Sequence, residues 1–75
     1  MKPMPAKTSP DHASLWHQVT LAMDAGDSEV GPYACDRAAA RAFVEWVRYN
    51  IPQHIAAYRT DRNGGVWFSR LERKP

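Results

Sequence analysis

The side chains best suited to chemistry are three histidines and a single cysteine. These are residue types that ligate zinc: His12, His17, His54 and Cys35. They show neither a Cys-x-x-Cys pair nor a His-x-x-x-His pair on a helix, so their spacing does not predict a metal site. Cys35 comes just before a predicted helix, where the pKa of a thiol falls and a thiolate can act as a nucleophile. A lone cysteine at such a position is more often a small buried core residue, and we favour that interpretation.

The acidic residues and glycines do not indicate a reaction centre either. Asp24, Asp27 and Glu29 fall on a predicted turn, without the apolar neighbours that raise the pKa of a catalytic carboxyl group. Gly64 and Gly65 belong to a predicted hairpin turn and not to a phosphate-binding loop. The sequence therefore predicts a non-enzymatic protein with no catalytic residues, no cofactor and no metal.

The element that must position everything else is a helix over residues 36–50. Its apolar residues recur at helical spacing and its charged residues fall on the opposite side. The apolar set is Ala39, Ala42, Phe43, Trp46, Val47 and Ile51. Asp36 is a suitable N-cap, and Pro52 disfavours helical dihedral angles at the residue before it. The pattern predicts one amphipathic helix whose apolar stripe packs on a sheet.

Strands are predicted on both sides of this helix. Residues 14–24 alternate in a way that favours a first strand, and residues 28–33 form a short second strand that Pro32 confines to a sheet edge. After the helix, residues 53–60 and 66–71 flank an Asn63-Gly64 pair. Asn-Gly between two β-rich segments is the strongest short-range signal for a hairpin.

Together these elements predict an α+β fold. We expect a small antiparallel sheet of three to four strands with one helix packed on one face, in the order β(β)αββ. Residues 1–13, rich in proline and poor in apolar residues, are predicted to be a flexible N-terminal arm. Residues 14–73 are predicted to be a single compact domain.

A single helix covers a single face of a sheet, so the other face should remain open. We expect Ile55, Val66 and Phe68 beneath the helix. The opposite face is then predicted to carry the aromatic and apolar residues Trp16, Tyr58, Trp67 and Leu71. An uncovered apolar face of this kind is typical of an interaction site. Two alternatives stay open: the arm folds over that face, or the strand parities are reversed and these aromatics are core.

Composition indicates the general class of protein to which the chain belongs. The 75 residues carry a net charge of +2 and one cysteine, which favours a reducing, cytoplasmic location over a disulfide-bonded secreted protein. No apolar segment resembles a signal peptide or a membrane span, so no membrane association is expected. Residues 51–75 are basic, with five Lys or Arg against two acids.

Two binding functions fit this pattern. The favoured hypothesis is a protein-interaction module that docks a partner protein or a second copy of itself, in the style of small phage or plasmid regulators or inhibitors. Its predicted partner-binding residues are Trp16, Tyr58, Trp67, Arg70 and Leu71. The alternative is a nucleic-acid-binding domain in which sheet aromatics stack on bases. Its predicted phosphate contacts are Arg59, Arg62, Arg73 and Lys74.

Overall fold

The computed structural model describes residues 11–72, which form two helices and a three-stranded antiparallel sheet. In chain order the elements are α1 (His12–Asp24), β1 (Val30–Tyr33), α2 (Arg37–Asn50), β2 (His54–Thr60) and β3 (Val66–Glu72). The predicted α+β class is confirmed. The single helix and the β(β)αββ order were wrong, because the described chain runs αβαββ. Most of the predicted arm, residues 1–10, lies outside the described residues.

The segment predicted as the first strand is helix α1. Leu15, Val19 and Met23 are four residues apart, an interval that suits one face of a strand as well as one side of a helix. Leu15 and Val19 are buried. Leu21 shares their strand parity but is 56% exposed, since on a helix it points away from them. The periodicity was therefore assigned to the wrong element.

The end of α1 carries a capping signal that the sequence interpretation took for a simple turn. Gly26 has a φ of +99°, in the left-handed region that glycine adopts without steric cost. Its N–H donates to the Met23 carbonyl at 3.1 Å, and the Asp27 N–H donates to the Ala22 carbonyl at 2.8 Å. These two bonds form a Schellman motif, which ends a helix by satisfying its last carbonyls.

Helix α2 is close to its prediction. Asp36 is the N-cap, and its Oδ1 accepts a hydrogen bond from the Ala39 backbone N–H at 2.8 Å. The helix ends at Asn50, with Ile51 as the C-cap before Pro52. Its buried residues are Ala40, Phe43 and Val47. The bounds were predicted well because both ends of the helix are signalled locally. The stripe was wrong at one alanine, since Ala42 is exposed and Ala40 is buried in its place.

The predicted hairpin is confirmed as β2 and β3. The strands pair over their whole length without a register shift, from His54 opposite Glu72 to Thr60 opposite Val66. The sheet order is β1-β3-β2, so β1 lies at an edge as Pro32 requires. β1 spans only 30–33 and pairs irregularly with β3.

Both helices lie on the same face of this sheet. Helix α2 packs mainly on β2, and α1 packs on β3 and β1 and also touches α2. The buried residues of the helices and the sheet form one core, which consists of Leu15, Val19, Cys35, Ala40, Phe43, Val47, Ala56, Val66 and Phe68. At its centre the rings of Phe43 and Phe68 meet edge to face, with centroids 4.9 Å apart. The second helix fills the layer that one helix was expected to cover, and the opposite face of the sheet carries no described helix.

Candidate interaction surface

The helix-free face of the sheet is built from the odd-numbered residues of β2 and β3. Directly opposed pairs cross it in three rows, because side chains alternate between the two faces of a strand. The rows are Ile55 with Leu71, Ala57 with Ser69, and Arg59 with Trp67. Ile55 is 41% exposed and Leu71 is 52% exposed. We call these six residues the open face; it has an aliphatic end, a shallow middle and an aromatic end.

The aromatic end is fixed by polar contacts on both sides of Trp67. The indole Nε1–H of Trp67 donates to Asp61 Oδ2 at 2.9 Å. The Arg59 guanidinium lies over the ring, 5.2 Å from its centroid, which is a cation–π arrangement. Arg59 also donates two hydrogen bonds to the carboxylate of Glu29, at 2.7 and 2.8 Å. These contacts hold the ring in one orientation without burying it completely.

Asp61 organises the hairpin turn beneath this ring. Its Oδ1 accepts from the backbone N–H groups of Asn63 and Gly65, at 2.9 and 2.8 Å. The bond from Trp67 is the largest cause that lowers the pKa of Asp61, and the bonds from the two backbone N–H groups act in the same direction. All of these donors stabilise the ionised form. The carboxylate is therefore part of the hairpin and is not available as a general base.

The structure places only part of the predicted partner-binding set on the open face. Trp67 and Leu71 lie there, as expected. Tyr58 is opposite Phe68 and packs against the core, so its predicted placement was wrong. Trp16 is on α1, where its ring lies 5.8 Å from that of His54. Reversed parity in β2 explains the error for Tyr58, and the misassigned helix explains the error for Trp16.

Arg70, another predicted partner-binding residue, has the core-side parity of β3. Its side chain is only 20% exposed, and Nη2 donates to Oδ1 of Asp24 at 3.3 Å. Asp24 is the last residue of α1. The ion pair thus ties the helix end to the sheet, on the side away from the open face.

Two of the predicted phosphate-contacting residues, Arg59 and Arg62, lie within the described part of the chain. Arg59 is engaged by Glu29, which is also the first cause that raises its pKa. Arg62 lies exposed in the hairpin turn. Arg73 and Lys74 lie outside the described residues. The nucleic-acid contacts of these residues stay a prediction.

Sequence reasoning missed two features of the surface. It placed Ile55 beneath the helix, whereas the register puts Ile55 opposite Leu71 on the open face. It also treated Arg37, Arg41 and Arg48 simply as the polar side of α2. Their separations of four and seven residues align them within about 40° around a helix, and that spacing was the signal that would have identified them as a row.

His12, His54 and the cysteine pack against other residues, whereas His17 is exposed. The ring of His12 lies 5.9 Å from Phe43 and 5.8 Å from Trp46, and Cys35 is buried. Within residues 11–72, no group of three or more His, Cys, Asp or Glu side chains is placed to hold a metal ion. A cavity of about 370 Å³ beside the hairpin turn is lined by Tyr33 and Asp61 among others, and that carboxylate is already bonded.

Comparison of the chain with protein-family models, with curated proteins and with solved structures found no match. Neither helix in the described part of the chain is long and apolar enough to cross a bilayer.

Proposed function

We propose that this protein is a non-enzymatic protein-interaction module whose open face docks a partner protein. The observation that carries the proposal is the directly opposed pair of Ile55 and Leu71, two large aliphatic side chains exposed together on a face without a described helix. Single exposed leucines are ordinary on protein surfaces, but two large apolar side chains side by side, on the same face as an aromatic residue, are typical of interfaces.

The composition of the open face suits this role. Trp67 is the residue type most enriched among interface anchors, and its orientation is fixed before a partner arrives, which lowers the entropy cost of binding. Ala57 and Ser69 form a shallow middle row that a partner side chain can approach closely. The face thus combines a rigid aromatic group, a low floor and an aliphatic end.

The size of the face defines the kind of interface. Strands about 4.8 Å apart with a rise of about 3.4 Å per residue give the two strands that carry the open face an area of roughly 10 by 23 Å. A standard interface buries about 800 Å² on each partner, more than twice this area. The partner must therefore also contact the hairpin turn or an edge, or the complex is transient.

The nucleic-acid alternative has less support. Stacking on bases requires an exposed aromatic face, and the ring of Trp67 is covered on one side by Arg59. The guanidinium of Arg59 would have to leave Glu29 to reach a phosphate. The small size and simple composition of this domain also suit a regulator or inhibitor of the phage or plasmid type.

A pair of exposed leucines provides the test. Leu71 on the open face is 52% exposed, and Leu21 on α1 is 56% exposed, so Asp at either position introduces the same charge at similar solvent access. We expect Leu71→Asp to abolish capture of partner proteins from cells that express the chain, while Leu21→Asp retains them. Sedimentation velocity on the purified variants reports self-association in parallel.

The proposal fails if both variants capture the same proteins as the unmodified chain. Concentration-dependent dimers that Leu71→Asp abolishes would identify a second copy as the partner. Circular dichroism of both variants controls for folding.

A further inference from the structure

The outer edge of β2 offers unpaired backbone groups in a defined order. The Asp61 N–H donates to the Gly65 carbonyl at 2.9 Å, so every second residue back along β2 turns its backbone groups toward β3. The residues between them, Ala56, Tyr58 and Thr60, therefore direct N–H and C=O away from the sheet. An extended chain is the natural complement of such an edge.

The flank of α2 above this edge carries a row of positive charge. Arg37, Arg41 and Arg48 are exposed and lie on one line along the helix. None of them forms an ion pair with another residue in the 11–72 range. Glu45 is four residues from Arg41 and three from Arg48, close enough in sequence to pair, yet it pairs with neither.

Two members of this row oppose helix stability, whereas Arg48 lies in the last turn, where a cation is favourable. Arg37 is the first residue of α2, where the positive helix end disfavours a cation, and the first turn contains no acidic residue. Arg37 and Arg41 are also like charges at a spacing of four residues, which is unfavourable. An arrangement that costs stability locally is expected where an external anion binds.

The row runs alongside the edge. Only Ile51–Gln53 separates α2 from β2, so the two elements run in opposite directions. Arg48 lines a groove with Ile55 and Ala56 near the start of β2, and the earlier arginines lie toward the end of β2. The row spans about 16 Å at 1.5 Å per residue, which equals about five residues of extended chain at 3.3 Å each.

The groove between helix and edge has an apolar floor. Its volume is about 270 Å³, and Val44, Arg48, Ile55 and Ala56 line it. Ala56 is only 3% exposed, so its own backbone groups are covered. Tyr58 and Thr60, which are half-buried and exposed, offer the accessible part of the edge. Apolar lining below a cationic rim matches a segment that carries both apolar and acidic residues.

We propose that the β2 edge and the α2 arginine row bind an extended acidic segment of a partner protein. Its carboxylates pair with Arg37, Arg41 and Arg48, one apolar side chain enters the groove, and its backbone bonds to the outer edge of β2. Ile55, at the start of the edge strand, lines this groove and also belongs to the open face. The proposal does not depend on the function proposed for that face.

Two other occupants fit less well. A second copy of the chain paired edge to edge would bring two sets of Arg37, Arg41 and Arg48 together, and like charges oppose that contact. The phosphates of a nucleic acid would pair with the arginines, but a nucleic acid has no apolar side chain to place in the groove. Tyr49, the exposed aromatic of α2, lies about 80–120° around the helix from the arginines and is not placed to stack a base beside them.

The test uses a capped peptide of four alternating glutamate–valine pairs, with a glutamine–valine peptide and an eight-nucleotide oligothymidine as comparison ligands. Binding to the full chain is followed by NMR. We expect the acidic peptide to shift the amide resonances of Ala56, Tyr58 and Thr60. Arg41→Gln and Arg48→Gln should each weaken binding about 2- to 5-fold, the range for a partly exposed ion pair.

Arg62→Gln is the matched control, because Arg62 is an exposed arginine in the hairpin turn and its loss changes the net charge equally. It should leave the affinity unchanged. The proposal is overturned if Arg62→Gln weakens binding as much as Arg48→Gln, if the glutamine peptide binds equally well, or if the oligothymidine binds more tightly. Shifts confined to Ser69 and Leu71 would also overturn it, and would assign the peptide to the open face.

Discussion

Two substitutions on strand β3 test whether its faces differ as the structure shows. Phe68 is completely buried and meets Phe43 edge to face, whereas Leu71 is 52% exposed on the open face. Phe68→Ala removes a buried aromatic side chain, a change that costs about 3–5 kcal/mol. Complete burial of a leucine side chain provides about 1.5–3 kcal/mol, and Leu71 is about half-buried, so Leu71→Ala should cost at most about 0.8–1.5 kcal/mol.

These costs are measured against a small total. A chain of 75 residues is expected to have an unfolding free energy of about 4–11 kcal/mol, at roughly 0.05–0.15 kcal/mol per residue. Urea titrations followed by tryptophan fluorescence and circular dichroism give the difference between each variant and the unmodified chain. If Phe68→Ala is too unstable to titrate, Phe68→Leu provides a milder version that still loses the contact between the two rings.

The result for Leu71→Ala is the decisive one. A loss above about 2 kcal/mol would show that the side chain is covered in solution, since a half-exposed leucine cannot contribute that much. Such a loss would refute the description of this face as open. If it also depended on protein concentration, self-association would be the cause.

Two further outcomes follow from local geometry. A Cβ at Gly31 would lie 2.8 Å from the Val66 carbonyl oxygen and 3.1 Å from Cδ2 of Trp67. Gly31→Ala should therefore push β1 away from β3 and lower the melting temperature by several degrees. An unchanged melting temperature would contradict this close approach. Folding lowers the pKa of Asp61 below its ordinary value of 3.8. The ionised carboxylate therefore stabilises the fold above about pH 3.8, and this stabilisation is lost as the pH falls through the lower pKa of the folded state. The difference in melting temperature between the unmodified chain and Asp61→Asn should therefore shrink below about pH 4, and a constant difference would argue against the hydrogen bonds of Asp61 as its cause.

The elements that local residues specify were predicted well. Helix α2 has an N-cap at Asp36 and a terminating Pro52, and the hairpin has Asn63-Gly64 at its turn, so neither depends on distant contacts. Helix α1 was missed because apolar residues four positions apart fit both the period of a helix and the period of a strand. Its end at Gly26 was the available local signal that would have favoured a helix.

The candidate surfaces were harder to predict, because they depend on which face each strand turns to its neighbours. Trp67 and Leu71 were assigned correctly to the open face. Tyr58 and Ile55 in β2 were each assigned to the face opposite to the one that they occupy. A shift of one residue in parity inverts a whole strand. Nothing within β2 itself, whose middle residues are Ala56 and Ala57, distinguishes one parity from the other.

The sequence by itself determined the α+β class, helix α2, the hairpin and the edge position of the strand that contains Pro32. Each of these follows from residues close together in the chain. Only the tertiary structure decided that α1 is a second helix, that Arg59 is held by Glu29 and Arg70 by Asp24, and that Arg48 of α2 lies beside the start of β2. Those contacts join residues far apart in sequence, and their geometry is set when both helices pack on the same face of the sheet.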